Sequence, residues 1–305
     1  MDFSMPANCR NKGKTKKMNF LITLVNGLSL GGIYAMIALG YTMVYGIAKM
    51  LNFAHGDIIM VGGYAILVFV AINPILAILF SIVFCIMMGI AIEKAAYKPL
   101  RGSSPLAVLI TAIGVSYFLQ SLAQIIFGAS PKYVIIADLG YITIGKLSIS
   151  WPTVITLICS SVIMVALTLF VKFTKIGRAM VAVSEDKDAA RLMGVNVDNI
   201  IMITFAIGSA LASLAGLFSL LRVPTIMPTY GALPGIKAFT AAVIGGIGSI
   251  PGAMLGGILL GVVECISNSI PEVAPYTLAI EFVILIIILL VKPTGMLGKK
   301  RREKV

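Results

Sequence analysis

Six stretches of this chain stay apolar long enough to cross about 30 Å of hydrocarbon as single helices, and they constrain the fold more than anything else in the sequence. They run 20–40, 74–92, 105–128, 151–171, 200–221 and the shorter 276–291. Lipid offers no partner to a backbone N–H or C=O group, so each stretch must satisfy its own backbone as a helix. Of the 305 residues, 59% are hydrophobic and 12% charged, and the mean hydropathy of +1.03 exceeds what a soluble domain can bury. The chain reads as an all-α polytopic membrane protein. Pro74, Pro105 and Pro152 stand at first helical turns, where a missing N–H costs nothing. Trp151 suits the interfacial belt.

Two further apolar regions, 41–72 and 237–266, are interrupted by "NFAHGD" (52–57) and "GGIGSIPGA" (245–253). Each divides into arms of about 11–15 residues, and an arm of 11 reaches only about half-way across a bilayer. That gives about eight hydrophobic helical regions, two of them broken or re-entrant. A break at membrane depth must be packed in protein or line a cavity. Small residues at four-residue spacing (Gly27 and Gly31; Gly208, Ala212 and Gly216; Gly248, Gly252 and Gly256) favour close helix approach.

Lysine and arginine set the orientation. Basic residues gather in 1–17, 93–104, 172–191 and the tail from Lys292; the loops 129–150, 222–236 and 264–275 are poorer in them. The net charge of +12 reports this topology and contact with anionic lipid, not nucleic acid. All four basic segments share the cytoplasmic face if both broken regions enter and leave on the outer side: six full spans plus two re-entrant pairs of half-helices. Eight conventional spans, the alternative, put both tails outside. The expected organisation is a basic cytoplasmic tail at 1–17, a membrane domain at 18–298 with a cytoplasmic loop at 177–199, and a basic tail at 299–305. Met18 is an alternative start. "GKT" at 13–15 is an incomplete phosphate-binding loop, since position 8 is Asn8. The scattered Cys9, Cys85, Cys159 and Cys265 suit no metal.

The polar loop has the marks of a short surface helix. Ser184 is a candidate N-cap, Glu185 and Asp186 sit in the first turn, and Gly194 stands where a C′ glycine would end it. Ala189, Leu192 and Met193 can share an apolar face. The helix either lies on the lipid surface or docks a cytoplasmic partner. In the first break, Asn52, His55 and Gly56 precede Asp57, a candidate cap for the arm that follows. In the second, Ser249 is the candidate cap, with Pro251 in the first turn. If the breaks meet near the midplane, Asn52, His55, Gly56, Asp57, Gly246, Gly248, Ser249, Pro251 and Gly252 line a translocation path, and half-helix N-termini can face a substrate carboxylate. The plainer reading is that Asn52, His55 and Asp57 satisfy broken backbone. His55 also has the titration range of a switch.

"NFAHGDIIMVGGY" (52–64), the stretch from "GRAMVAV" to "SLAG" (177–216), "KAFTAAVIGGIGSIPGAMLGGILLGVVE" (237–264) and "KPTGMLG" (292–298) occur in this order. Together they resemble the high-affinity branched-chain amino acid ABC permease family, closest to the first of its two paired permease subunits, over about residues 18–298. The resemblance implies a path formed with a second permease subunit, two cytoplasmic ATPase subunits, and an extracytoplasmic binding protein that delivers leucine, isoleucine or valine. This chain is then a transport subunit of a bacterial or archaeal cell membrane, with no cofactor and no enzymatic site of its own. "DAARLMG" resembles the family's E-A-A-x-x-x-G coupling pattern with Asp188 for glutamate, which implies ATPase contacts by Ser184, Glu185, Asp188, Ala189, Ala190 and Gly194. The proline- and glycine-rich 222–235 is either a landing site for the binding protein or a passive connector. Urea and short-amide permeases look similar, so the cargo stays open. A secondary transporter or channel is the rival of a different class.

Overall fold

The computed structural model describes residues 7–298 apart from 138, 145 and 146; the first six residues of the tail expected at 1–17, and all of 299–305, lie outside the described residues. The chain forms α1 (Ala7–Ala48), α2 (His55–Phe69), α3 (Pro74–Ile92), α4 (Pro105–Phe127), α5 (Trp151–Phe173), α6 (Lys175–Glu185), α7 (Lys187–Leu192), α8 (Val197–Arg222), α9 (Ala232–Gly245), α10 (Ile250–Asn268) and α11 (Thr277–Val291). A π turn (Glu93–Tyr97) and a 3-10 turn (Lys98–Leu100) extend α3. Two short antiparallel ribbons pair β1 (Lys132–Tyr133) with β4 (Thr225–Ile226) and β2 (Tyr141–Ile144) with β3 (Leu147–Ser150). Among the described residues seven helices are long and apolar enough to cross a membrane, and α2 and α9 are shorter apolar helices. The prolines at 74, 105 and 152 do open helices, with Asn73 and Ser104 capping the first two through their side chains.

The sequence suggested a first span ending at Gly40 and a separate arm from Tyr41. Instead α1 runs unbroken to Ala48, so Phe20–Ala48 is one span of 29 residues. Gly40 lies inside this helix, and its missing side chain makes room for the His55 ring. The second apolar region also divides unevenly, into the short α9 and the full-length α10. Among the described residues, six full spans plus two re-entrant pairs of half-helices therefore give way to seven full-length helices and two half-helices.

Close approach of small residues fixes α1 against α10 in antiparallel register. A Cβ on Gly27 would sit 2.9 Å from the Val262 Cα, and one on Gly31 would sit 2.7 Å from the Ile258 Cα. At the far end Gly46 faces Gly248. This defines two ends of the bundle. The strand end holds the amino end of α1, where the Arg222 guanidinium donates to the Asn26 carbonyl at 3.3 Å and the Thr153 hydroxyl to the Asn26 side chain at 3.2 Å. The opposite end holds the carboxyl end of α1, the 93–104 turns, α6 and α7, and residues 292–298. Three of the four basic segments thus share one end. The amino end of α1 lies at the other, so no orientation places all four on one side.

The two half-helices start side by side and run apart. Gly56 of α2 packs on Gly231 and Gly235 at the start of α9. From there α2 climbs to the strand end, where Gly63 meets Ile226, while α9 descends to the α6–α7 end, where its Gly245 packs on Gly252. Residues 49–54 and 223–231 run as non-helical connectors into the bundle to reach these starting points. The helices from α1 to α4 thus run in turn opposite to those from α8 to α11.

Candidate functional site

The half-helix junction gathers the polar residues of the first break, and each is buried. Its level in the bundle follows from Gly40, eight residues or about 12 Å up α1 from Ala48. Asn52 receives the Tyr97 hydroxyl on its Oδ1 at 2.8 Å, so it is held by α3's extension and not by broken backbone. The His55 ring stands edge-on to Tyr41 at 4.8 Å, and its Nε2 points at Gly40 beside the Ile37 carbonyl without a hydrogen bond of ordinary geometry. The Tyr41 hydroxyl faces the Gly56 N–H. Among the described residues no group of three or more His, Cys, Asp or Glu side chains could hold a metal ion.

Asp57 is not the cap of α2. The helix opens two residues earlier, with Ala54 at the cap position and no side-chain cap, because the Asn52 and Ala54 carbonyls already bond His55 N and Asp57 N. Asp57 sits in the first turn, where a carboxylate suits the helix dipole, and its Oδ1 accepts from Gln120 Nε2 of α4 at 2.8 Å. Gln120 also donates to Ser116 Oγ at 3.3 Å. A polar line from Asp57 through Gln120 to Ser116 therefore crosses from the buried junction to the half-exposed face of α4. Gln120 and Gln124 were readable as the two amides inside a largely apolar span, positions that are costly unless used, and Gln120 is the one that reaches Asp57.

The second break stands elsewhere. Ser249 does cap α10, accepting from Gly252 N at 3.3 Å, with Pro251 in the first turn. But Gly246 and Gly248 form a tight turn at the α6–α7 end, both with positive φ (105° and 92°). Gly246 packs on Gly295 and Gly298 of the terminal "KPTGMLG", and Met296 N and Leu297 N donate to the Ile244 and Gly245 carbonyls. Gly252 is packed against Gly245 within the same turn, and Pro251 is exposed. The glycines and Ser249 of the second break therefore lie away from the half-helix junction, although Asn52 and Ile247 line one small cavity between the two breaks. What meets "NFAHGD" is "PTYGALPG" (228–235), which the sequence presented as an outer loop. A Pro-Gly cluster followed by only 14 helical residues was the signal for a second half-helix.

The polar loop folds as two helices where one was expected. Ser184 lies in the last turn of α6 and donates to the Val181 carbonyl at 2.7 Å, so the cap of α7 is Asp186. Its carboxylate accepts from Asp188 N and Ala189 N, both at 3.0 Å. Gly194 ends α7 as expected, with φ 81°, and Gly194 N and Val195 N return to the Arg191 and Ala190 carbonyls. That is the pattern of a Schellman C-cap. Ala190 faces inward, while Glu185, Asp188 and Ala189 are exposed. Leu192 and Met193 project with 89% and 84% of their surface open. Lys187 ties α7 to the bundle by donating to the Ala48 carbonyl, the last of α1, at 2.9 Å. Ser184 and Gly248 line one cavity of about 70 Å³, so the α9–α10 turn sits beside α6.

One ion cluster lies inside the span region. Lys237 of α9 pairs with Glu264 of α10 at 2.8 Å and Glu281 of α11 at 3.1 Å, and Tyr34 of α1 donates to Glu264 at 2.7 Å. Four helices are joined through one lysine, which fastens the half-helix α9 to its neighbours.

Comparison with known proteins converges on one family. The family model described as "Branched-chain amino acid transport system / permease component" matches residues 23–289. The high-affinity branched-chain amino acid transport system permease protein BraD of Pseudomonas aeruginosa is 43% identical over 305 residues, covering 94% of this chain and 98% of the relative. The corresponding LivH of Escherichia coli K12 is 40% identical over 302 residues, with the same coverage. The ribose import permease protein RbsC of E. coli K12 is 25% identical over 280 residues, covering 88% of this chain and 84% of the relative. Among solved structures, "PsaBC from Streptococcus pneumoniae in complex with Fab" matches with a TM-score of 0.50 at 13% identity, over 88% of this chain and 91% of that one, a likeness of fold. A family match over most of the length, together with seven membrane-crossing helices, two half-helices and a capped polar loop, identifies the chain as a multi-pass membrane protein that belongs to the family of branched-chain amino acid transport system permease components.

Proposed function

We propose that this chain is the membrane subunit of a binding-protein-dependent ABC importer for leucine, isoleucine and valine, and that α7 is its contact with a cytoplasmic ATPase subunit. The cargo reading rests on the names of BraD and LivH at 43% and 40% identity. The coupling reading rests chiefly on one observation: Leu192 and Met193, two large apolar side chains, project almost fully exposed from a helix capped at both ends on the polar end of the bundle. An apolar knob on a rigid, hydrated element is suited to a partner's groove. The complete assembly in this reading has a second permease subunit, two ATPase subunits and an extracytoplasmic binding protein. In this reading residues 18–298 form the permease domain, 177–199 is its cytoplasmic loop, and 299–305 is a basic cytoplasmic tail.

Leu192→Asp combined with Met193→Asp tests the coupling role. The expected result is correct membrane insertion with loss of ATPase co-purification and of ATP-driven uptake. Normal assembly and uptake would remove α7 from that role. For the path, the half-helix junction (Asn52, His55, Gly56, Asp57 and Gly231, the residue just before α9) is the proposed constriction, with Asp57 and Gln120 facing the substrate's ammonium group. Asp57→Asn preserves the size and the bond to Gln120, so a strong loss of uptake with normal assembly assigns a role to the charge. The ribose permease relative gives one reason to keep the cargo separate from the machine, since it shares the chain's length under a different cargo name. Titration of the cognate binding protein with branched-chain amino acids, urea and short amides decides between them.

A further inference from the structure

A cavity of about 240 Å³ lies between α2, α3 and α4, on the strand-end side of the half-helix junction. Both α2 and α4 run toward the strand end, so residues one and two turns beyond Asp57 (Met60, Val61 and Tyr64) form one wall. Leu119 and Ala123, on either side of Gln120 in α4, form a second, and Phe84 and Met88 of α3 a third. The cavity therefore begins next to the hydrogen bond between Asp57 and Gln120. At its far end stands Phe127, the last residue of α4, whose ring stacks on that of Tyr64 at 4.3 Å. Among the described residues that line it, Tyr64 brings the one hydroxyl, and there is no amide or charged group. Tyr64 is 3% exposed, and its hydroxyl has no hydrogen-bond partner among the described residues. A hydroxyl taken out of water without a partner destabilises the fold, so this one calls for an occupant that supplies an acceptor. Asp57 is buried as well, and its side-chain partners Gln120 and Ser116 are neutral. An intramembrane carboxylate matched only by neutral groups is suited to an incoming cation.

We propose that this cavity receives the branched aliphatic side chain of the transported amino acid, with the ammonium group at Asp57 and Gln120 and the carboxylate accepting from the Tyr64 hydroxyl. The inference rests on the transport reading above and adds the residues that sort the side chain. An apolar cavity of about 150 Å³ holds a benzene ring, so a four-carbon branched chain fits within this one. A charged or amide side chain would give up its water against these walls without a new partner. Glycine and alanine would leave most of the walls without contacts. Met60 and Met88 are flexible enough to follow the different branching of leucine, isoleucine and valine. A lipid acyl chain also fits the exposed rim at Val68, Leu122 and Ile126, but it brings no partner for the Asp57 carboxylate or the Tyr64 hydroxyl. The amphipathic layout therefore favours an amino acid over a lipid.

The test is photo-crosslinking of the purified transport complex with a leucine analogue that carries a diazirine in its side chain, mapped by peptide mass spectrometry. Label should appear on Met60, Leu119 or Ala123, and excess leucine should suppress it where the same concentration of glycine does not. Tyr64→Phe, which removes only the hydroxyl, should weaken this labelling about tenfold, as expected for one hydrogen bond lost to a charged group. The same variant should unfold at a temperature no lower than wild type, because the atom it deletes has no partner within the protein. Ala123→Leu, which fills the cavity, should also lose the label. Tyr133→Phe, on the exposed β1, should label as wild type does. Label confined to other parts of the chain, or groove label that excess leucine does not displace, as for a site that takes any apolar chain, would overturn the proposal. So would a Tyr64→Phe variant that unfolds earlier yet labels normally, since that is a structural role alone. ATP-driven leucine uptake by the same wild-type complex keeps the two readings apart: uptake without groove label sinks this inference and leaves the transport reading standing, and absence of uptake counts against the transport reading itself.

Discussion

At the scale of single residues, the junction depends on what is missing. A Cβ on Gly56 would lie 2.6 Å from the Gly231 carbonyl oxygen, and one on Gly216 would lie 2.9 Å from the Ile59 carbonyl oxygen. Backbone cannot yield as a flexible side chain does, so Gly56→Ala should cost about 1–3 kcal/mol. Differential scanning of the purified complex checks this, and an unchanged unfolding temperature would contradict the close approach. The ion cluster makes a graded prediction. Lys237→Met strands two carboxylates in an apolar setting and should cost about 3–5 kcal/mol. Glu281→Gln leaves the Lys237–Glu264 pair intact and should cost clearly less. Equal losses would show that the lysine is not the hub. At this scale the sequence was only half legible. The polar identity of Asn52, His55 and Asp57 was plain, but their partners Tyr97, Tyr41 and Gln120 are 45, 14 and 63 positions away, and no periodicity reports such contacts.

At the scale of elements, helix ends were well marked where proline or a cap residue stood beside an apolar run. Residues 74–92 were read with both ends in place, and α4, α5 and α11 fall within two residues of expectation. The errors share a cause. Gly40 and Ser184 lie inside helices because tertiary neighbours or the next turn decide whether a glycine or serine ends one. "PTYGALPG" looked like a surface loop because a connector that enters the bundle carries the same turn residues as one that stays outside. For α7, loss of the Asp186 cap in Asp186→Ala should cost about 1 kcal/mol of helix stability, and Gly194→Ala, at φ 81°, about as much. Both variants should insert and fold, yet show reduced ATPase co-purification. Full co-purification would show that the orientation of α7 does not matter.

At the scale of the whole molecule, composition and charge settled the class but not the side on which α1 begins. Positive charge gathers in 93–104, 172–191 and the segment from Lys292, and these share one end. The half-helices reverse the count, so the amino end of α1 emerges at the other end. Cysteine labelling in intact cells reads this directly. Ser103→Cys and Leu192→Cys should react only after the membrane is permeabilised, whereas Phe20→Cys and Glu272→Cys should react from outside. Phe20→Cys labelled only from the cytoplasm would restore the re-entrant arrangement.

In the proposed transport cycle, passage of branched-chain amino acids through the half-helix junction is coupled to an ATPase at α7. The most direct measurement is uptake of labelled leucine into proteoliposomes holding the complete complex, with ATP on the α7 side and binding protein on the strand side. The account predicts uptake that needs both and disappears in Leu192→Asp combined with Met193→Asp. Uptake driven by an ion gradient without ATP, or uptake indifferent to that double substitution, would contradict it.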